Sequence, residues 1–175
     1  MGQVVSQLEL LSRRGDWKRT GKRVVCAYGA FDLLHPGHIR LLEETRDFGD
    51  LLVVAVQSDA MVRATAAAPR NSVDPATNGG IEKPITPAAE RAEILAALRA
   101  VDFAVVTDDP LAEFLRKLQP DTFVCGDEPV GRPTSAARDG LARSLAAIGC
   151  KLVRLPIEPG CSTSLLIERI TGRRA

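Results

Sequence analysis

The chain has 175 residues, of which 45% are hydrophobic and 26% charged, with a formal net charge of +1. That length supports one domain with its own core and is too short to expect two, so residues 1–175 read as a single domain. That composition is of an ordinary globular protein rather than a disordered tail, and the near-neutral charge with 4% aromatic residues leaves little for phosphate tracking or base stacking, so no nucleic-acid partner is expected. Apolar runs such as residues 51–56 are far shorter than the roughly 20 residues of a membrane helix, and the opening MGQVVSQLEL lacks a signal-peptide core. The expectation is therefore a cytoplasmic protein with no membrane partner.

Val4, Leu8 and Leu11 recur at near-helical spacing and predict a leading helix over 3–13, followed by a basic stretch at 18–23. Residues 1–22 thus read as leading helix and linker. The apolar run 24–28 ends at Gly29 and predicts a strand, with an amphipathic helix over 36–47. Residues 51–56 are apolar at every position, as in a strand covered on both faces of a parallel sheet. Residues 64–84 have no periodicity and read as a flexible loop of the length used for lids and binding loops.

Helices follow at 87–100 and 110–118, each introduced by a capping residue and a proline, Thr86-Pro87 and Asp109-Pro110. Strands are predicted at 103–106 and 122–125, then a weaker helix at 134–148, a strand at 151–155 and a closing helix at 164–170. This alternation predicts a doubly wound, Rossmann-like α/β fold, a parallel five-stranded sheet with helices on both faces. Ligands in such folds sit at the carboxyl ends of the strands.

The four cysteines include no CxxC pair and have no nearby histidine cluster, so no metal site is expected. Cys26 and Cys150 read as buried thiols, and Cys161, beside a Ser/Thr cluster that opens a helix, as structural rather than catalytic.

The segment Gly29-Ala30-Phe31-Asp32-Leu33-Leu34-His35-Pro36-Gly37-His38 lies where the first long strand gives way to a helix, and it holds both histidines of the chain. A helix N-terminus offers unpaired N–H groups and a positive dipole, and two imidazoles beside it add hydrogen-bond donors for a phosphate. Pro36 suits the first helical position, and Gly37 would let a phosphate approach the backbone. The alternative is a pair of incidental histidines, one of them a core residue.

HPGH resembles the HxGH signature of the cytidylyltransferase-like nucleotidyltransferases, and GAFDLLHPGHIRLLEETRDFGDLLVVAVQSD is similar to their first βαβ unit. PAAERAEILAALRAVD resembles the family's next helix and strand, FVCGDEPVG its glycine-aspartate loop, and GCSTSLLIERI its closing loop and helix. The resemblance implies transfer of an NMP unit from an NTP to a small phosphorylated acceptor, with release of pyrophosphate. It implies His35 and His38 as catalytic groups on the triphosphate, with Mg²⁺ accompanying the nucleotide. It implies nucleotide contacts at Ala30, Phe31 and Gly37, with Asp32 as a loop-ordering acceptor rather than a reactant. Gly126 and Asp127 would face base and ribose, or form an ordinary turn. Ser162, Thr163 and Ser164 would hold phosphate, or merely cap a helix. A homodimer is expected, because relatives commonly pair.

Two branches compete. EPGCSTSLLIERI and VDFAVVTDDPLAEFLRKLQPD favour the adenylyltransferases that make ADP-heptose, hence ATP and a sugar 1-phosphate. AYGAFDLLHPGHIRLLE and CGDEPVG suggest the glycerol-3-phosphate cytidylyltransferases, hence CTP and a polyol phosphate. The lysines usual after the second strand are missing; among Arg63, Arg70 and Lys83 only Lys83, beside Pro84, falls where the family's basic-Pro pair would bind the acceptor phosphate. Cys125-Gly126 replaces the Lys-Gly of the heptose branch, and 157–159 lack the arginine of the cytidylyl branch. These losses of charge keep open a nucleotide-binding module without catalysis.

Overall fold

A computed structural model describes residues 1–67, 82–127, 135–156, 160–161 and 163–172. Six strands form one sheet in the order β1-β4-β3-β2-β5-β6, and every pairing is parallel. They are β1 Gln3–Val4, β2 Val24–Gly29, β3 Leu51–Gln57, β4 Phe103–Thr107, β5 Thr122–Asp127 and β6 Lys151–Pro156. The helices are α1 Gln7–Arg19, α2 Pro36–Arg46, α3 Asp59–Ala67, α4 Ala88–Ala97, α5 Leu111–Leu118, α6 Ser135–Ala147 and α7 Thr163–Thr171.

Alternation along the strands divides the core in two. Val24, Cys26, Val53, Ala55, Phe103 and Val105 turn to one face, where Leu10 of α1, Phe114, Leu115 and Leu118 of α5 and Leu145 of α6 cover them. Val25, Ala27, Leu52, Val54, Val56 and Ala104 turn to the other, against Leu42 of α2 and Ala92, Leu95 and Ala96 of α4. The unbroken apolar run of β3 is needed because both of its faces are dry. Cys26 and Cys150 are buried thiols, as expected; burial raises both, Cys150 to about 11.

Strand order reverses beside β2. The chain moves outward through β3 to β4, then returns to place β5 on the opposite side of β2. The carboxyl ends of β2 and β5 therefore lie at the point where strand order reverses, which is where doubly wound sheets bind ligands.

The sheet has six strands rather than the expected five, because residues predicted to begin the leading helix pair with β4 instead. The open edge of β4 supplies the partners: Gln3 N–H donates to the Asp102 carbonyl at 2.9 Å and Val5 N–H to the Ala104 carbonyl at 3.0 Å. Ser6 then caps α1, its hydroxyl accepting from Glu9 N–H at 3.2 Å. The predicted caps Thr86 and Asp109 do not act as caps, since Pro87 and Pro110 occupy the N-cap positions without side-chain bonds. Asp109 instead accepts from Lys117 Nζ at 2.7 Å. Of the predicted loop 64–84, residues 64–67 end α3, and 68–81, with Arg70, lie outside the described residues.

Phe123, 1% exposed on β5 beside β2, tests the core. Phe123→Ala should lower unfolding free energy by about 3–5 kcal/mol in urea titrations; a loss under about 1 kcal/mol would contradict the packing described.

Candidate active site

The turn after β2 is built around His35, which caps its own helix. Its ring Nδ1 accepts from His38 N–H at 3.3 Å, and its carbonyl accepts from the same N–H at 2.9 Å. Pro36, at the first helical position, has no N–H to satisfy. Because Nδ1 of His35 is an acceptor, the neutral ring carries its proton on Nε2. The cap also brings the two imidazoles together, stacked with centroids 3.8 Å apart and planes 20° from parallel. Phe31 meets His38 edge-on at 5.5 Å.

Two imidazolium ions would repel strongly at that spacing. Burial lowers the pKa of His35, and burial with the neighbouring His35 holds His38 down at about 4. Both rings are thus neutral at pH 7 in the free protein. His38 Nδ1 is buried and has no hydrogen-bond partner among the described residues.

Phe31 has φ 49°, a left-handed conformation that a bulky side chain adopts only when its surroundings impose it. Its ring is buried at 7% exposure and folds back over Gly29, where a Cβ would lie 3.2 Å from the ring. Asp32, as expected, orders the loop: its carboxylate accepts from Ile85 N–H at 2.8 Å and Thr86 N–H at 2.8 Å. This brings the turn that follows Lys83 alongside the HPGH turn. Lys83 itself is half-buried.

Sequence reasoning missed Arg91. It is 1% exposed, and its guanidinium donates to the carbonyl of Ala30, to the carbonyl of Thr86 at 2.8 Å and to Asp59 Oδ1 at 2.6 Å. A signal was available: with Ala88, Ala92, Leu95 and Ala96, Arg91 falls on the apolar stripe of α4, where a charge has to find buried partners.

Gly126 and Asp127 end β5, at the same end of the sheet as the HPGH turn. The Asp127 side chain and Ser162 lie outside the described residues. Thr163 and Ser164 open α7, and the Ser164 side chain is likewise not described. The closing loop nevertheless reaches the histidines, because a Cβ on Gly37 would lie 2.9 Å from Cys161 Cβ and 3.1 Å from His35 Nδ1. Gly37 is thus required for the closing loop to seat against the helix start. Two segments more than 120 residues apart in the chain meet there. No group of three His, Cys, Asp or Glu side chains suited to a metal occurs among the described residues. Among them, too, no helix is long and apolar enough to cross a membrane.

The cytidylyltransferase-like family model matches residues 26–169. The chain is 38% identical over 169 residues, 95% of its length, to bifunctional protein HldE of Koribacter versatilis. It is 45% identical over 154 residues, 87% of its length, to bifunctional protein HldE of Geotalea uraniireducens. It spans 31% and 28% of those relatives' lengths. The crystal structure of a lipopolysaccharide core biosynthesis protein from Thermoplasma volcanium superposes with a TM-score of 0.58 at 27% identity, covering 79% of this chain and 99% of that one.

The lowered histidines make stability depend on pH with a definite sign. The unfolded chain protonates His38 near 6.5, whereas the folded chain resists until about 4, so between those values the unfolded state binds more protons. This contribution is complete above about pH 6.5 and is lost as pH falls toward 4. Ring-proton NMR titration should place the His38 midpoint near 4, and His38→Gln should flatten the acid loss of the urea midpoint; a midpoint at or above 6.5 would contradict this electrostatic picture. Gly37→Ala should separate the closing loop from the HPGH turn and speed amide hydrogen exchange at Cys161 and His38 by at least about tenfold. Unchanged exchange at both amides would contradict the close approach of the two segments.

Proposed function

The chain belongs to the cytidylyltransferase-like family of nucleotidyltransferases, and from that membership we propose that residues 1–175 act as one domain that transfers an NMP unit from an NTP to a small phosphorylated acceptor, releasing pyrophosphate. The observation that carries this reading is the stacked, neutral His35–His38 pair at the start of α2, with the Cys161 loop seated against Gly37. By preference the reaction is adenylyl transfer from ATP to a heptose or other sugar 1-phosphate. The likeness to proteins named HldE and to a lipopolysaccharide core protein supports a sugar phosphate over a polyol phosphate.

An ionised acceptor phosphate attacks the α-phosphorus in line and pyrophosphate leaves, so no general base is needed and the protein's task is positioning and charge stabilisation. His35 presents Nε2–H, since Nδ1 is committed to the cap. Negative charge arriving beside the two neutral imidazoles favours proton uptake by the pair, and a protonated ring is the stronger donor, so nucleotide binding strengthens the site. The α2 dipole adds to the attraction. Ala30, Phe31, Gly126 and Asp127 contact the nucleoside in this reading, Ser162, Thr163 and Ser164 its phosphates, and Lys83 the acceptor phosphate. Magnesium enters with the nucleotide, carried mainly by phosphate oxygens and water. The donor set at the turn, imidazole and N–H, suits phosphate rather than a hard cation. A C₂ homodimer is the proposed assembly.

The test is pyrophosphate release with ATP, CTP, GTP or UTP and Mg²⁺ against sugar 1-phosphates and polyol phosphates. ATP with a sugar 1-phosphate should give the highest kcat/KM. His35→Ala and His38→Ala should each lower kcat by about 10²–10³ without loss of folding. Preference for CTP with a polyol phosphate would establish the cytidylyl reading instead. Nucleotide binding without turnover for any pair would make the chain a non-catalytic module.

A further inference from the structure

The Arg91 guanidinium spends all three of its nitrogens on groups that belong to different parts of the chain. Nη1 donates to the carbonyl of Ala30 in the HPGH turn, Nε to the carbonyl of Thr86 at 2.8 Å, and Nη2 to Asp59 Oδ1 at 2.6 Å at the start of α3. Asp59 also accepts from Ala88 N–H at 2.9 Å, which fixes the start of α4. Asp32, two residues beyond Ala30, accepts from the N–H groups of Ile85 and Thr86. The nucleotide-side turn at 30–32 and the acceptor-side turn at 85–88 are thus tied twice, once through a carboxylate and once through a cation buried to 1% exposure. The left-handed Phe31 follows directly on the carbonyl that Arg91 holds, so the guanidinium bears on a backbone geometry that does not hold itself.

The geometry points to Arg91 as a positioning residue that keeps the two substrate-binding turns in a common register. It touches neither substrate; it acts through Ala30 on the nucleotide side and through Thr86 on the acceptor side. The roles of the two turns rest on the nucleotidyl-transfer reading, whereas their coupling rests on the contacts alone. An in-line displacement depends on the separation of acceptor oxygen and α-phosphorus, and a displacement of about 1 Å costs about 10²-fold in rate. A planar fork with fixed donors sets such a separation; a single ammonium cannot span three acceptors in different directions.

Arg91→Lys keeps the charge opposite Asp59 and removes the fork. Hydrogen exchange in the free protein should speed up at least about tenfold both at Ile85 and Thr86 and at His38, while the β3 amides remain unchanged. Well below its melting temperature, the variant should show kcat reduced about 10- to 100-fold and KM raised for nucleotide and acceptor together. Arg14→Lys is the control. Arg14 is another buried arginine, donating to the carbonyl of Gln119 and to Asp121 far from these turns, and its variant should lose melting temperature but retain wild-type kinetics. If Arg91→Lys behaves like Arg14→Lys, or if only one turn loses protection, the inference is overturned. A wild-type protein without turnover would remove the reaction assigned to the turns, and the exchange measurement would still decide whether Arg91 couples them.

Discussion

In the turn after β2 a single ring nitrogen has two consequences. Nδ1 of His35 accepts the His38 N–H, which starts α2 and at the same time commits the neutral ring to one tautomer, with its proton on Nε2. It also forces the second imidazole against the first at 3.8 Å, a spacing compatible with neutral rings and strongly opposed to two charged ones. The pair is therefore uncharged at pH 7 in the free protein. A pair of fixed cations at the same place would repel each other, and the turn would have to be held by stronger contacts elsewhere.

The sheet places this turn where it can be used. With β3 on one side of β2 and β5 on the other, the loop after β2 stands at the reversal of strand order, the usual ligand end of such sheets. The last loop of the chain returns to the same point through Cys161, whose contact with Gly37 leaves no room for a side chain. Behind the turn, Asp32 and Arg91 connect it to residues 85–88. The histidines, the closing loop and residues 85–88 thus form one unit, although they come from three separate stretches of sequence.

What could be read in advance was local. Val24 to Gly29, the helix after Pro36 and the wholly apolar β3 announce themselves by composition and periodicity, and HPGH does so because both histidines stand within four residues at a strand-helix junction. Asp32 as a loop-ordering acceptor was legible for the same reason, although its partners, Ile85 and Thr86, were not. The failures are tertiary. Gln3 and Val4 become a strand only because β4 leaves an edge open, and Asp109 gives up a capping role because Lys117 and Gln7 compete for its oxygens. Arg91 was hidden because Ala30 and Asp59, 61 and 32 residues away, give it its meaning.

In the proposed reaction the stacked imidazoles and the α2 start receive the phosphates of a nucleotide. The most direct measurement is a crystal structure of the protein with a non-hydrolysable ATP analogue and Mg²⁺. Phosphate oxygens should lie within about 2.7–3.2 Å of an imidazole nitrogen of both His35 and His38, with the nucleoside above the ends of β2 and β5. A nucleotide bound elsewhere, with the two rings still stacked and untouched, would contradict it.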